Sequence, residues 1–139
     1  MKLAITLCAI TLPVFAASCA SSDEHGKLAA ESAATAWLAL IDAGKYDESW
    51  IAASTRIRQA VPQEDWRLKV GRARGLLGRL RFRKLQSATL EGTSPGAPDG
   101  EYVVIKFASS FERKMAAIET VTPMKDEHGA WRVSGYYIK

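Results

Sequence analysis

The spacing of apolar residues changes once along this chain, and that change constrains its fold more than any other feature. Up to Gly78 the apolar residues recur every three or four positions, as on one face of a helix. Beyond it they come in runs rich in Val, Ile, Thr, Tyr and Phe, as in strands. Residues 28–44 carry Leu28, Ala29, Ala33, Ala36, Trp37, Leu40 and Ile41 at helical spacing and stop at Gly44. Residues 45–55 continue as a shorter helix with Tyr46, Trp50 and Ala53 on one stripe. Pro62 opens a third helix, with Glu64 and Asp65 at the positive end of its dipole and Trp66, Val70 and Leu77 as its stripe. Residues 82–90, 101–111, 115–124 and 130–138 read as strands, 92–100 as a loop, and 125–129 as a hairpin turn with Gly129 at positive φ. Helices first and strands second imply an α+β domain in which three N-terminal helices pack on a four-stranded antiparallel curved sheet, cone-like in outline.

With 139 residues the chain has room for one domain with a working core. Its start stands apart. Met1-Lys2 is followed by Leu3 to Ala17, apolar except for Thr6, Thr11 and Pro13, and shorter than the about 20 residues a membrane-spanning helix needs. Residues 1–18 therefore read as a signal peptide. Ala16-Ala17-Ser18-Cys19 resembles the lipobox of bacterial lipoproteins, with alanine at position 16 where that pattern prefers leucine. The resemblance implies cleavage before Cys19 and a diacylglyceryl group on its thiol; ordinary secretory cleavage is the other reading. Both cysteines, Cys8 and Cys19, lie in this leader, so the rest of the chain holds no disulfide, and acylation gives a use to the one thiol left at the mature terminus. Ala20, where an aspartate would retain such a lipoprotein at the inner membrane, implies the outer membrane of a Gram-negative cell, facing the periplasm. Without acylation the product would be soluble in the periplasm. Residues 19–27 then form the acylated cysteine and a polar tether, and 28–139 a single α+β domain.

Common catalytic machinery is missing from this domain. His25 falls in the tether and His128 in the turn, so no histidine or cysteine cluster can hold a metal, and neither imidazole sits on an element that would orient it as a base for a serine or threonine. No phosphate-cradling or dinucleotide-binding glycine motif occurs, and no cofactor is expected. Asp47-Glu48, Glu64-Asp65 and Asp126-Glu127 are adjacent pairs at helix starts or in a turn, where they serve as solvated charge.

Glu119 is different because it sits in mid-strand. If the 125–129 turn sets Met124 opposite Ala130, Glu119 faces Gly135 and shares an apolar face with Ala117, Val121, Trp131, Val133 and Tyr137. A carboxylate there needs a hydrogen bond, a cation or a proton, with Tyr137 or Arg74 as partner. Three readings follow. Glu119 and Tyr137, with Arg74, line a pocket between sheet and helices, Glu119 belongs to a buried structural Glu–Arg pair, or a register slip leaves it at the surface. A second constellation is basic: Arg67, Lys69, Arg72, Arg74, Arg79, Arg81, Arg83 and Lys84 occur with no acid between Trp66 and Leu90, within a chain of net charge +4. Such a run suits anionic lipid head groups, at up to about 1 kcal/mol per cation near a charged membrane, or it covers apolar surface and forms ion pairs. No aromatic stacking platform is interleaved with it, and nucleic acid is not an expected partner.

The succession Ala36-Trp37-Leu38, Ile41-Asp42-Ala43-Gly44, Tyr46, Ser49-Trp50, Trp66, Arg74, Gly78, then Pro98-Asp99-Gly100-Glu101-Tyr102-Val103-Val104, Glu119-Thr120, Gly129-Ala130-Trp131-Arg132-Val133 and Gly135-Tyr136-Tyr137 resembles the bacterial domain-of-unknown-function family 4019 over nearly all of the mature chain. The resemblance implies an exported protein with no assigned reaction. The order of elements is also similar to nuclear-transport-factor-2-like or cystatin-like topologies, and since an acid and a tyrosine transfer protons in some enzymes of the former group, the resemblance implies isomerase or dehydratase chemistry for a pocket at Glu119 and Tyr137. The resulting expectation is a lipid-anchored envelope domain that binds a partner, such as an envelope protein, or a small ligand without catalysis, with a pocket enzyme built on Glu119 and Tyr137 as the alternative.

Overall fold

A computed structural model describes residues 17–94 and 96–139. The signal segment lies outside the described residues up to residue 16, and the side chains of residues 17–20, Cys19 among them, lie outside them too. Among the described residues four helices precede four strands: α1 (Ala17–Asp42), α2 (Tyr46–Ala52), α3 (Thr55–Ala60), α4 (Gln63–Leu77), β1 (Leu80–Glu91), β2 (Tyr102–Phe111), β3 (Lys114–Lys125) and β4 (Trp131–Ile138). The strands form one antiparallel sheet in the order β1-β2-β3-β4, so the protein is α+β with its helices on the N-terminal side.

The segment expected as a tether, residues 21–27, is helical and part of α1. Asp23 and Lys27 stand four apart, a spacing that supports a helix, and alanines follow directly. The buried stripe of α1 is Ala30, Ala34, Trp37, Leu38 and Ile41, whereas Leu28 is exposed. Trp37 and Ile41 fall where the periodicity puts them, and the rest of the stripe is rotated by one residue. The two buried alanines let the helix lie close to Val103, Ile105, Phe107, Val121 and Val133 of the sheet in one core. Each large side chain fully buried there contributes about 1.5–3 kcal/mol.

The expected second helix is two. Ser54 ends the first part: its backbone N–H donates to Val133 O at 2.8 Å, and its hydroxyl accepts from Ile57 N as the cap of α3. Ser49 then ties three helices together. Its carbonyl accepts from Trp37 Nε1 at 2.8 Å, its hydroxyl accepts from Trp66 Nε1 at 3.0 Å, and the residue is fully buried.

Two glycines occupy positive φ at helix ends. At Gly44 (φ +73°) the bonds Gly44 N to Ile41 O and Lys45 N to Leu40 O close α1. At Gly78 (φ +77°) a Cβ would stand 2.8 Å from Glu112 Oε2 and 2.9 Å from Glu112 Cβ, while at Gly44 it would meet nothing within 4 Å. Gly44→Ala is expected to cost about 1–2 kcal/mol from backbone strain alone. Gly78→Ala should cost more, because it also displaces Glu112 from the backbone N–H of Arg79. Urea denaturation of the two variants checks this, and equal losses would show that the Glu112 contact is without consequence.

Candidate functional site

The strands bring an ionic cluster into the interior. β3 pairs with β4 through Lys125↔Trp131 and Pro123↔Val133, after which Thr122 faces Gly135, Val121 faces Tyr136 and Glu119 faces Ile138. Ser134 is the extra residue, and its hydroxyl donates to Thr122 O at 2.8 Å. The expected pairing of Glu119 with Gly135 is thus corrected on two counts. The turn sets the register two residues further on, which preserves the face. The bulge then adds one residue, which reverses it. Tyr136 therefore shares the inner face with Val133, and Tyr137 is half exposed.

Glu119 is completely buried. Its Oε2 accepts from Arg83 Nε at 2.6 Å and, through a short bond, from the Ser109 hydroxyl. Its Oε1 accepts from Arg83 Nη2 at 3.0 Å and from the Tyr136 hydroxyl at 2.8 Å. These bonds occupy the roughly four acceptor positions of a carboxylate. Arg83 also reaches Asp42 at the end of α1, through Nη1 to Oδ2 at 2.7 Å and Nη2 to Oδ1 at 3.1 Å. Arg74, in the last turn of α4, donates from Nη2 to Asp42 Oδ1 at 2.8 Å and lies 4.7 Å from the centre of the Phe111 ring. Its Nη1 is 3.6 Å from Glu119 Oε1 and, buried, has no hydrogen-bond partner. Asp42, Arg74, Arg83, Ser109, Glu119 and Tyr136 come from α1, α4, β1, β2, β3 and β4 in turn. Two carboxylates balance two guanidiniums.

The network perturbs two of its members. Burial opposes the charge of Arg83, but its hydrogen bonds to Asp42 and Glu119 and their negative charge outweigh that and raise its pKa. Burial, then the charge of Glu119 and its hydrogen bond, raise the pKa of the Tyr136 phenol well above the ordinary tyrosine range.

Beside the cluster lies a groove of about 430 Å³ between α4 and the end of β4. Val61, Trp66, Val70, Leu76, Leu77 and Ile138 make its walls, Arg74 and Tyr136 join the network to it, and Lys69 and Lys114 are its remaining charged residues. Tyr137 also lines it. Of the residues singled out in the sequence, Glu119 and Arg74 meet, while Tyr136 and not Tyr137 holds the carboxylate. Asp42, Arg83, Ser109 and Tyr136 were missed as members. A signal existed for Arg74, which lies four residues after Val70 and three before Leu77 on the inward stripe of α4.

The basic run separates into two kinds of residue. Arg74 and Arg83 are turned into the network and do not present an anion-binding surface, Arg67 pairs with Glu64, and Arg79 pairs with Glu112. Lys69, Arg72, Arg81 and Lys84 form no ion pair among the described residues. Among the described residues no helix is long and apolar enough to cross a membrane, and no group of three or more His, Cys, Asp or Glu could hold a metal ion.

Residues 33–136 match the family described as Protein of unknown function (DUF4019), and the chain belongs to that family. No curated protein and no solved structure matches it.

Glu119→Gln keeps the shape of the side chain but leaves two guanidiniums facing one carboxylate. Urea unfolding at neutral pH should register a loss of about 3–5 kcal/mol, as for other broken buried ion pairs; a loss under about 1 kcal/mol would deny the network its structural role. Tyr136 gives a pH signature. Because its folded pKa is raised, its contribution is fully present below the ordinary tyrosine pKa of about 10 and is lost as pH rises above that value toward its own. Stability should therefore fall on alkaline titration, and Tyr136→Phe, less stable at neutral pH, should show a flatter alkaline limb.

Proposed function

We propose that this chain is an exported cell-envelope lipoprotein, directed by residues 1–18, acylated at Cys19 and facing the periplasm from the outer membrane, and that it acts as a non-enzymatic binding module. The groove between α4 and β4 is the observation that carries the binding role. Its volume of about 430 Å³ falls in the range of small-molecule sites, about 300–1,000 Å³, and its walls are apolar with a few cations.

The proton-transfer alternative draws less support. Both oxygens of Glu119 are engaged by Arg83, Ser109 and Tyr136, so a substrate proton finds no free acceptor, and Tyr137 does not reach the carboxylate. The anchor fits the shape of α1. From Cys19 to Ala30, the first buried residue of its stripe, the helix rises about 16 Å at roughly 1.5 Å per residue, and residues 21–25 are exposed along it. Such a helix would hold the domain away from the bilayer as a rigid spacer. Arg72, Arg81 and Lys84 lie beside Arg74 and Arg83 at the Asp42 end of α1, away from Cys19, and an envelope protein is the further partner this placement allows.

Metabolic labelling tests the anchor. Cells given labelled palmitate should incorporate it into the wild type but not into Cys19→Ala, which should move from the membrane fraction to the soluble periplasm. An unlabelled wild type would overturn the lipoprotein reading.

A further inference from the structure

The charges of the groove differ from those of the network beneath it. The network is balanced, two carboxylates against two guanidiniums, so Arg74 contributes little net field to the space above. Lys69 and Lys114 are not balanced: neither forms an ion pair among the described residues, and no acidic residue lines the groove. Apolar walls, two free ammonium groups and no carboxylate describe one ligand chemistry. We infer that the groove binds a single-chain amphiphilic anion, an acyl chain ending in a carboxylate, with the chain against Val70, Leu76, Leu77 and Ile138 and the head group at Lys69 and Lys114.

Size agrees with one chain. A groove of about 430 Å³ lies toward the lower end of small-molecule sites, about 300–1,000 Å³, which suits one acyl chain such as that of dodecanoate. The cations account for the polarity of the match. An alkyl cation of equal length would have the same apolar contact with the walls but would meet two ammonium groups of its own sign, so charge and not hydrophobicity separates the two ligands.

This inference rests on the binding role proposed for the groove, and the experiment separates the two. Calorimetric titration of the mature domain, below micelle concentrations, uses decanoate, dodecanoate and dodecyltrimethylammonium. Dodecanoate should bind at least tenfold more tightly than dodecyltrimethylammonium. Decanoate should bind more weakly than dodecanoate, by about fourfold for each methylene that the groove covers. Lys69→Glu/Lys114→Glu should weaken dodecanoate tenfold or more and reverse the preference for anion over cation. Leu76→Glu, at a position already 72% exposed and so harmless to folding, should weaken dodecanoate as well. Equal binding of the anion and the cation, with Leu76→Glu weakening both, would overturn the anionic ligand and leave the groove as a binding site. Absence of binding by all three probes would overturn the inference, and dodecanoate binding that ignores Leu76→Glu would overturn the groove itself.

Discussion

Glu119 carries a charge into a place where water does not reach, and the cost of doing so organises the molecule around it. An isolated carboxylate in that position would be several kcal/mol unfavourable. It is met by Arg83 of β1, Ser109 of β2 and Tyr136 of β4. Arg83 in turn engages Asp42 of α1, and Asp42 engages Arg74 of α4. Correct pairing of all four strands and correct seating of two helices are needed at once. A slip of one residue in β3 would turn the carboxylate to the other face of the sheet and abandon two arginines in the interior. We therefore read the network chiefly as a device that specifies one arrangement, since an apolar cluster of equal volume would hold the layers together at least as well.

Asp42 shows how local and tertiary electrostatics compete. A carboxylate at a helix C-terminus faces the negative end of the dipole, which is unfavourable by itself. Arg74 and Arg83 reverse that sign by contributing three hydrogen bonds to it. The same arrangement fixes the last turn of α4, while α4 otherwise packs chiefly on α2. A helix held at one end by ions and along its side by another helix leaves a space against the edge strand, and that space is the groove. The ionic cluster and the groove are thus two consequences of one anchoring, the first supplying rigidity and the second an accessible surface.

Much of the fold was legible in the chain. The change of period near Gly78, the stop at Gly44, the first-turn acids before Trp66 and the turn glycine Gly129 all act within a few residues, and the end of α1, α4 and the four strands lie close to where they imply, while α1 begins earlier than its stripe suggested. The division of the second helix was not legible, because Ser54 ends it by donating to Val133, a partner far along the chain. The pairing of Glu119 with an arginine was half legible. Arg74 sits on its helical stripe at inward spacing, but Arg83 lay inside a basic run that looked like one surface.

Local spacing determined the order of elements, their faces and the two-layer α+β arrangement, because helix and strand periods are properties of neighbouring residues. Whether Tyr136 or Tyr137 meets Glu119, which cations of the basic run turn inward, and whether a groove exists were decided only by tertiary structure. The physical reason is the bulge at Ser134: one unpaired residue, whose place depends on how the turn at 126–130 and the partner strand fit together, exchanges the two faces of β4 beyond it.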